Sequence, residues 1–186
     1  MTLGKPSTVS PADGQWPQSL TLKLEKSAPQ TLYTIGSIAL LATYKTALFC
    51  SARCPGDVIL STHEQSARWR DEGRCVIGGF HAPLEKECLR ILLRGRQPII
   101  ICLARGLEGM RPPKDWKEPL ASDRLLVLSQ FAASERRVTT ELAVRRNQLA
   151  AALADEVVFA YITPGGHLEE LSRLVARWRI PQTCIR

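Results

Sequence analysis

The sequence predicts an α/β fold of three layers, a mainly parallel sheet flanked by helices, and three observations predict it. Short solid apolar runs such as Pro98–Leu103 (PIIICL) recur along the chain, and a run apolar at every position marks a strand covered on both faces. Longer segments with apolar residues at helical spacing lie between them, so strands and helices alternate. Short Gly-containing or polar stretches punctuate the changes of element. This is a Rossmann-like arrangement, in which crossovers are right-handed and ligands collect at the carboxyl ends of the strands.

Residues 1–30, with four prolines and two glycines, read as an irregular arm carrying a short strand at Leu20–Leu24. Residues 31–186 read as a single domain. Thr31–Thr46 is expected to be a helical lead-in. Ala47–Ser51 (ALFCS) is the first buried strand, and Asp57–Glu72 is a helix capped by Asp57 and stopped by Gly73. Cys75–Ile77 is the second strand. Pro83–Leu93 is a helix with Leu84, Cys88, Leu89 and Leu92 on one face and Gly95 beyond its end. Pro98–Leu103 is the third strand, followed by a loop over Ala104–Pro119. Leu125–Leu128 is the fourth strand and Arg136–Ala154 the longest helix. Val157–Ile162, Leu168–Trp178 and Thr183–Ile185 complete the chain as strand, helix and short strand.

The 186 residues suit one domain. A composition of 45% hydrophobic and 23% charged residues excludes disordered and collagen-like chains. The net charge of +7 permits an anionic partner, but it is spread evenly: +2, +3 and +2 over residues 1–46, 47–120 and 121–186. No apolar stretch approaches the roughly 20 residues that cross a bilayer, and the first 18 residues lack the apolar core of a secretory signal. A soluble cytoplasmic protein with no membrane partner is therefore expected. Of the six cysteines, Cys50, Cys75, Cys102 and Cys184 lie in or beside short apolar runs, where thiols behave as small hydrophobes. There is no CxxC pair, and Cys50-x-x-x-Cys54 alone is a weak zinc signal, so neither a metal nor another cofactor is expected.

The candidate site lies at the strand ends. Ser51-Ala52-Arg53 follows the first strand, Gly78-Gly79-Phe80-His81 the second, and Ala104-Arg105-Gly106 the third, with Arg111 and Lys114 in the loop beyond. Thr163-Pro164-Gly165-Gly166-His167 follows the fifth. Two Gly-Gly pairs, each between a strand and a helix N-terminus, let backbone N–H groups approach an anion, although either pair alone favours a simple tight turn. Arg53, Arg105, Arg111 and Lys114 at the same edge favour a phosphate-binding rim, because guanidinium donors grip phosphate in pairs. Arg137, Glu141 and Arg145 share a helix face and read as a salt-bridged solvated surface, with Arg146 and Asn147 a residue further round. Glu85 suits the positive end of its helix. Neither a GxGxxG motif nor a P-loop occurs, nor a Ser-His-Asp spacing, HExxH or nucleophile elbow.

Taken in order, these segments resemble the DNA-processing protein A (DprA/Smf) family within the SLOG/LOG superfamily. TLYTIGSIALL (31–41) is similar to the family's lead-in helix, and ALFCSARCP (47–55) to its first strand and arginine-containing turn. CVIGGFHAPLEKECL (75–89) is similar to its second strand and turn, with Ile77 where a serine is usual. VRRNQLAAALADEVVFAY (144–161) is similar to its Arg-Asn-Arg helix, with Gln148 at the second arginine. HAPLEKECLRILLRGRQPIIICLARGLEGMRPPKDW (81–116) resembles short stand-alone members. The resemblance implies a protein without enzymatic activity that binds single-stranded DNA by its phosphates, through Arg53, Gly78, Gly79 and Arg146. It also implies a homodimer and a recombinase partner.

A rival reading comes from the segment around Pro164-Gly165-Gly166-His167-Leu168-Glu169-Glu170, which is similar to the LOG phosphoribohydrolases, enzymes that release the base from a nucleoside monophosphate. Relative to their Pro-Gly-Gly-x-Gly-Thr-x-Glu-Glu run, a glycine and a threonine are missing here. That resemblance implies Arg146 positioning the substrate and Glu170 acting at the ribosyl centre. A sensor domain for a nucleotide ligand is the third reading, since one scaffold hosts many functions.

Overall fold

A computed structural model describes residues 6–185. Its strands are β1 (Ser7–Val9), β2 (Leu32–Gly36), β3 (Lys45–Cys50), β4 (Cys75–Gly78), β5 (Ile99–Cys102), β6 (Leu125–Ser129), β7 (Glu156–Tyr161) and β8 (Gln182–Cys184). Its helices are α1 (Gln18–Leu24), α2 (Gly56–Asp71), α3 (Pro83–Leu93), α4 (Lys117–Ala121), α5 (Thr140–Leu153) and α6 (His167–Arg177). All eight strands join one sheet in the order β1-β2-β6-β5-β4-β3-β7-β8. Strands β3 to β8 are parallel, while β2 lies antiparallel on β6 and β1 antiparallel on β2.

Alternation along the buried strands divides the core between the two faces. Ala47, Phe49, Ile77, Ile100, Leu126 and Phe159 pack with Leu20 of α1, Leu149 and Leu153 of α5 and Leu171 of α6. Leu48, Cys50, Val76, Ile99, Ile101 and Val127 pack with Trp69 of α2 and Leu84 and Leu89 of α3. The three layers expected from the apolar runs are thus present. Cys88 and Cys102 lie inside this core, where burial pushes their thiols up to about 11 and about 12, so both stay protonated. Cys184 departs from its expected burial and is exposed on the edge strand β8. No helix among the described residues is long and apolar enough to cross a membrane.

Several elements differ from the sequence reading. Leu20–Leu24 is helical rather than extended, and Val9, Trp16 and Leu20 are buried in the larger core, so the segment expected as an irregular arm contributes an edge strand and a packed helix. Thr31–Thr46 is not a helical lead-in. It holds β2, a 3-10 turn over Ile38–Ala42 and the start of β3. Thr31, Tyr33, Thr34 and Ile35 are β-branched or aromatic residues that favour a strand, and Gly36 ends it at φ +100°, a conformation that costs glycine little. Helix α5 begins at Thr140, because the Thr139 side chain accepts a hydrogen bond from the Leu142 amide at 3.2 Å and caps it. At 14 residues it is shorter than the 16 of α2. The Ala104–Pro119 segment, expected as a loop, contains a 3-10 turn at Lys114–Trp116 and the first residues of α4.

Candidate functional site

The parallel part of the sheet starts at β3, adds β4, β5 and β6 on one side, then places β7 on the other. Successive crossovers diverge at β3, and a crevice opens outside the carboxyl ends of the strands there. That crevice is a cleft of about 540 Å³. Ser51 and Ala52 line it after β3, His81 and Ala82 after β4, Val138–Thr140 at the start of α5, and Thr163 and His167 after β7. Ala82, Thr139 and Gly166 are the N-caps of α3, α5 and α6. Three helices therefore direct their positive ends toward one space, which favours an anion.

Two charged side chains lie at the floor of this cleft, Glu85 and Arg146, each only 5% exposed. Glu85 is held by backbone amides. Its Oε1 accepts from the Cys50 N–H at 2.9 Å, and its Oε2 accepts from the His81 and Ala82 N–H groups at 2.9 and 3.2 Å. It straps the turn after β3 to the turn after β4. Burial pushes its carboxyl above the usual range, opposed by the Cys50 amide and the Arg146 charge. Arg146 reaches from α5 over the strand ends. Its Nε donates to Asn147 Oδ1 at 2.8 Å and its Nη1 to the Cys102 carbonyl at 3.5 Å. Burial lowers its pKa, and the Glu85 charge counters that. Its Nη2 has no protein acceptor among the described residues. The guanidinium rests on Gly79, where a methyl group would overlap it.

A family model described as DNA recombination-mediator protein A matches residues 7–165. The chain belongs to that family. Among solved structures, it is similar to DNA processing protein A from Streptococcus pneumoniae, at 20% identity and a TM-score of 0.79 over 98% of this chain and 63% of that one. This chain thus spans less than two thirds of the pneumococcal protein. It is similar to DNA processing protein A from Helicobacter pylori, described as binding single-stranded DNA in a unique mode, at 19% identity and a TM-score of 0.76 over 96% of this chain and 80% of that one. The molybdenum cofactor carrier protein of Chlamydomonas reinhardtii is more distant, at 10% identity and a TM-score of 0.51 over 76% of each chain. At such identities the likeness is one of fold, and that fold is the Rossmann-like one. A search of curated proteins finds no match.

In this member of the DNA recombination-mediator protein A family, Ser51, His81, Arg146 and Asn147 come together in the cleft. Arg53 is exposed on the same turn as Ser51 and Ala52. The structure places the glycines of the two pairs as follows. Gly78 ends β4 inside the core, and the space left open by Gly79 is filled by Arg146. At the second pair, the Gly165 N–H donates to Glu169 Oε2 at 2.6 Å and the Gly166 N–H to the Thr163 carbonyl at 3.0 Å, so both amides already have partners. Arg105, Arg111 and Lys114 are exposed but line no part of the cleft. Ser129 Oγ donates to the Arg105 carbonyl at 2.7 Å, tying this turn toward β6. Glu170 lines a small cavity that adjoins the cleft and shares Val144, Asn147 and His167 with it, while Arg146 lines the cleft itself.

Sequence reasoning missed the role of Glu85 as a strap. The signal was an acid at the third position of a helix opened by Pro83, the spacing at which a carboxylate reaches back to the preceding amides. Thr139 and Thr140 also line the cleft without having been singled out. Arg136 and Arg137 lie before α5, in the exposed loop leading to the cleft-lining Val138, rather than on a helical face.

Proposed function

We propose that this chain holds single-stranded DNA by its phosphates in the cleft at the strand carboxyl ends, as part of DNA processing or recombination. The observation that carries the proposal is Arg146: a buried guanidinium with a free Nη2 at the floor of a cleft ringed by three helix N-termini. A phosphate seated there meets a fixed cation and three positive helix ends, and needs little rearrangement of the protein. Ser51, His81 and Asn147 add polar groups at the wall. Arg53, Arg136 and Arg137 stand exposed on the flanking turns, where they can meet neighbouring phosphates. The reading requires no covalent step. Membership of the family and the single-stranded DNA binding of the Helicobacter pylori protein support it. A homodimer, a recombinase partner and a cytoplasmic setting belong to the same reading, with support from the family alone.

Fluorescence anisotropy of a labelled single-stranded oligonucleotide, titrated at increasing salt, tests the proposal. Affinity should fall as salt rises, with a log–log slope of about 0.7 per neutralised phosphate. Arg53→Ala should flatten that slope by about 0.7, and Arg136→Ala with Arg137→Ala by about 1.4. Absence of binding at low salt overturns the proposal. Equal competition by nucleoside monophosphates would move the reading to a nucleotide sensor, and release of free base from them to hydrolysis.

A further inference from the structure

We infer that the outer face of α3 is a second contact surface for single-stranded nucleic acid, a track for the strand as it leaves the cleft. The inference rests on the cleft reading above. Lys86, Arg90 and Arg94, the last at the C-cap of α3, recur every fourth residue and are all exposed, and Arg96 is exposed just beyond Gly95. Four residues advance a helix by about 6 Å and return nearly to the same face, so these side chains form one straight row. The opposite face, with Leu84, Cys88, Leu89 and Leu92, is buried in the core, which locks the rotation of the helix and keeps the row outward.

Among the described residues none of these four cations forms an ion pair, and only Arg96 acts on a neighbouring carboxylate, that of Glu118. Nearby acids are engaged elsewhere: Glu87 with His63 at 2.9 Å, Asp71 with Arg70 at 2.7 Å and Glu118 with Arg124 at 2.8 Å. Like charges four residues apart repel along a helix and Lys86 stands near the positive end of α3, while Arg90 in the last turn and Arg94 at the C-cap suit its negative end. A straight, convex line of exposed cations offers a small anion no enclosure, whereas a repeating polyanion can contact it at several points. The large exposed apolar residues, Leu22, Tyr44, Leu60 and Val138, all lie off this helix, so the face lacks the apolar anchors of a membrane-binding surface. Helix α3 opens at Ala82 in the cleft wall, and the row begins one turn later. A strand seated in the cleft can continue along it.

The test compares an oligonucleotide of about 6 nucleotides, enough to occupy the cleft, with one of about 20 that overhangs it. Both are titrated against the full chain and its Lys86→Ala/Arg90→Ala/Arg94→Ala variant. The variant should bind the long strand roughly tenfold or more weakly at low salt, with a salt slope flatter by about 2, and bind the short strand like wild type. Its thermal stability should stay close to that of wild type, since the repulsion relieved within the helix and the favourable helix-end charges lost at Arg90 and Arg94 offset each other. Wild-type affinity of the variant for the long strand overturns the track and leaves the cleft reading intact. Binding of only the long strand, abolished in the variant, would retain the row and remove the cleft. Binding of neither length overturns both.

Discussion

Replacing Gly79 with alanine tests the packing at the centre of the candidate site. Gly79 does not occupy the left-handed region, so alanine brings no backbone strain, and the whole effect comes from one methyl group. That methyl overlaps Nη1, Cζ and Nε of Arg146 together, and the guanidinium must leave its seat. Overpacking of this kind costs about 1–3 kcal/mol. In a chain of this size each kcal/mol moves the melting temperature by roughly 2–4 °C. The displaced Arg146 also stops facing Glu85, which remains tied to the Cys50, His81 and Ala82 amides. Oligonucleotide affinity should fall with stability. A double-mutant cycle isolates the contact: in an Arg146→Ala background the added methyl meets no guanidinium, so Gly79→Ala should become nearly neutral. The coupling should equal most of the 1–3 kcal/mol single-mutant cost. Urea denaturation gives the stabilities and anisotropy the affinities. If Gly79→Ala costs the same with and without Arg146, the reasoning is wrong.

Two further predictions concern pH and the antiparallel edge. Burial raises the Glu85 pKa above its ordinary 4.5, so folding favours the protonated acid. Its contribution to stability is fully present below about pH 4.5 and is lost as pH rises through the folded value. Glu85→Gln is neutral throughout, so wild-type stability minus that of the variant should decline from pH 4.5 upward; urea melts showing a level or rising difference would contradict this. Gly36→Ala places a side chain at φ +100° and against the Leu125 carbonyl, which is backbone and cannot swing aside. A loss of roughly 2–4 kcal/mol in urea denaturation is expected, with oligonucleotide affinity per folded molecule unchanged, because β2 lies away from the cleft.

Much of the fold was legible because its signals are local. Solid apolar runs mark β3 to β7 wherever both faces are covered, and Pro83 with the apolar spacing of Leu84, Cys88, Leu89 and Leu92 marks the full extent of α3. Strand β2 was not legible as a strand. Its pairing partner β6 lies about ninety residues away in sequence, and the apolar residues after Gly36 imitate a helical face. The cleft was legible in part: Ser51, His81, Arg146 and Asn147 reach it, because strand carboxyl ends are where a parallel sheet leaves space.

The amino-acid sequence by itself determined the alternation of elements, the edge at which a site forms and the excess of basic residues near that edge. Only the tertiary structure decided which of those residues converge. Arg105, Arg111 and Lys114 share the edge but follow a crossover away from the cleft, whereas Arg146 is carried into it by the docking of α5 across the sheet. The same docking lays the Arg146 guanidinium against Gly79. Periodicity and turn residues act within a few positions of the chain. The filling of a missing side chain, or the partner of a buried carboxylate such as Glu85, depends on packing between segments far apart in sequence.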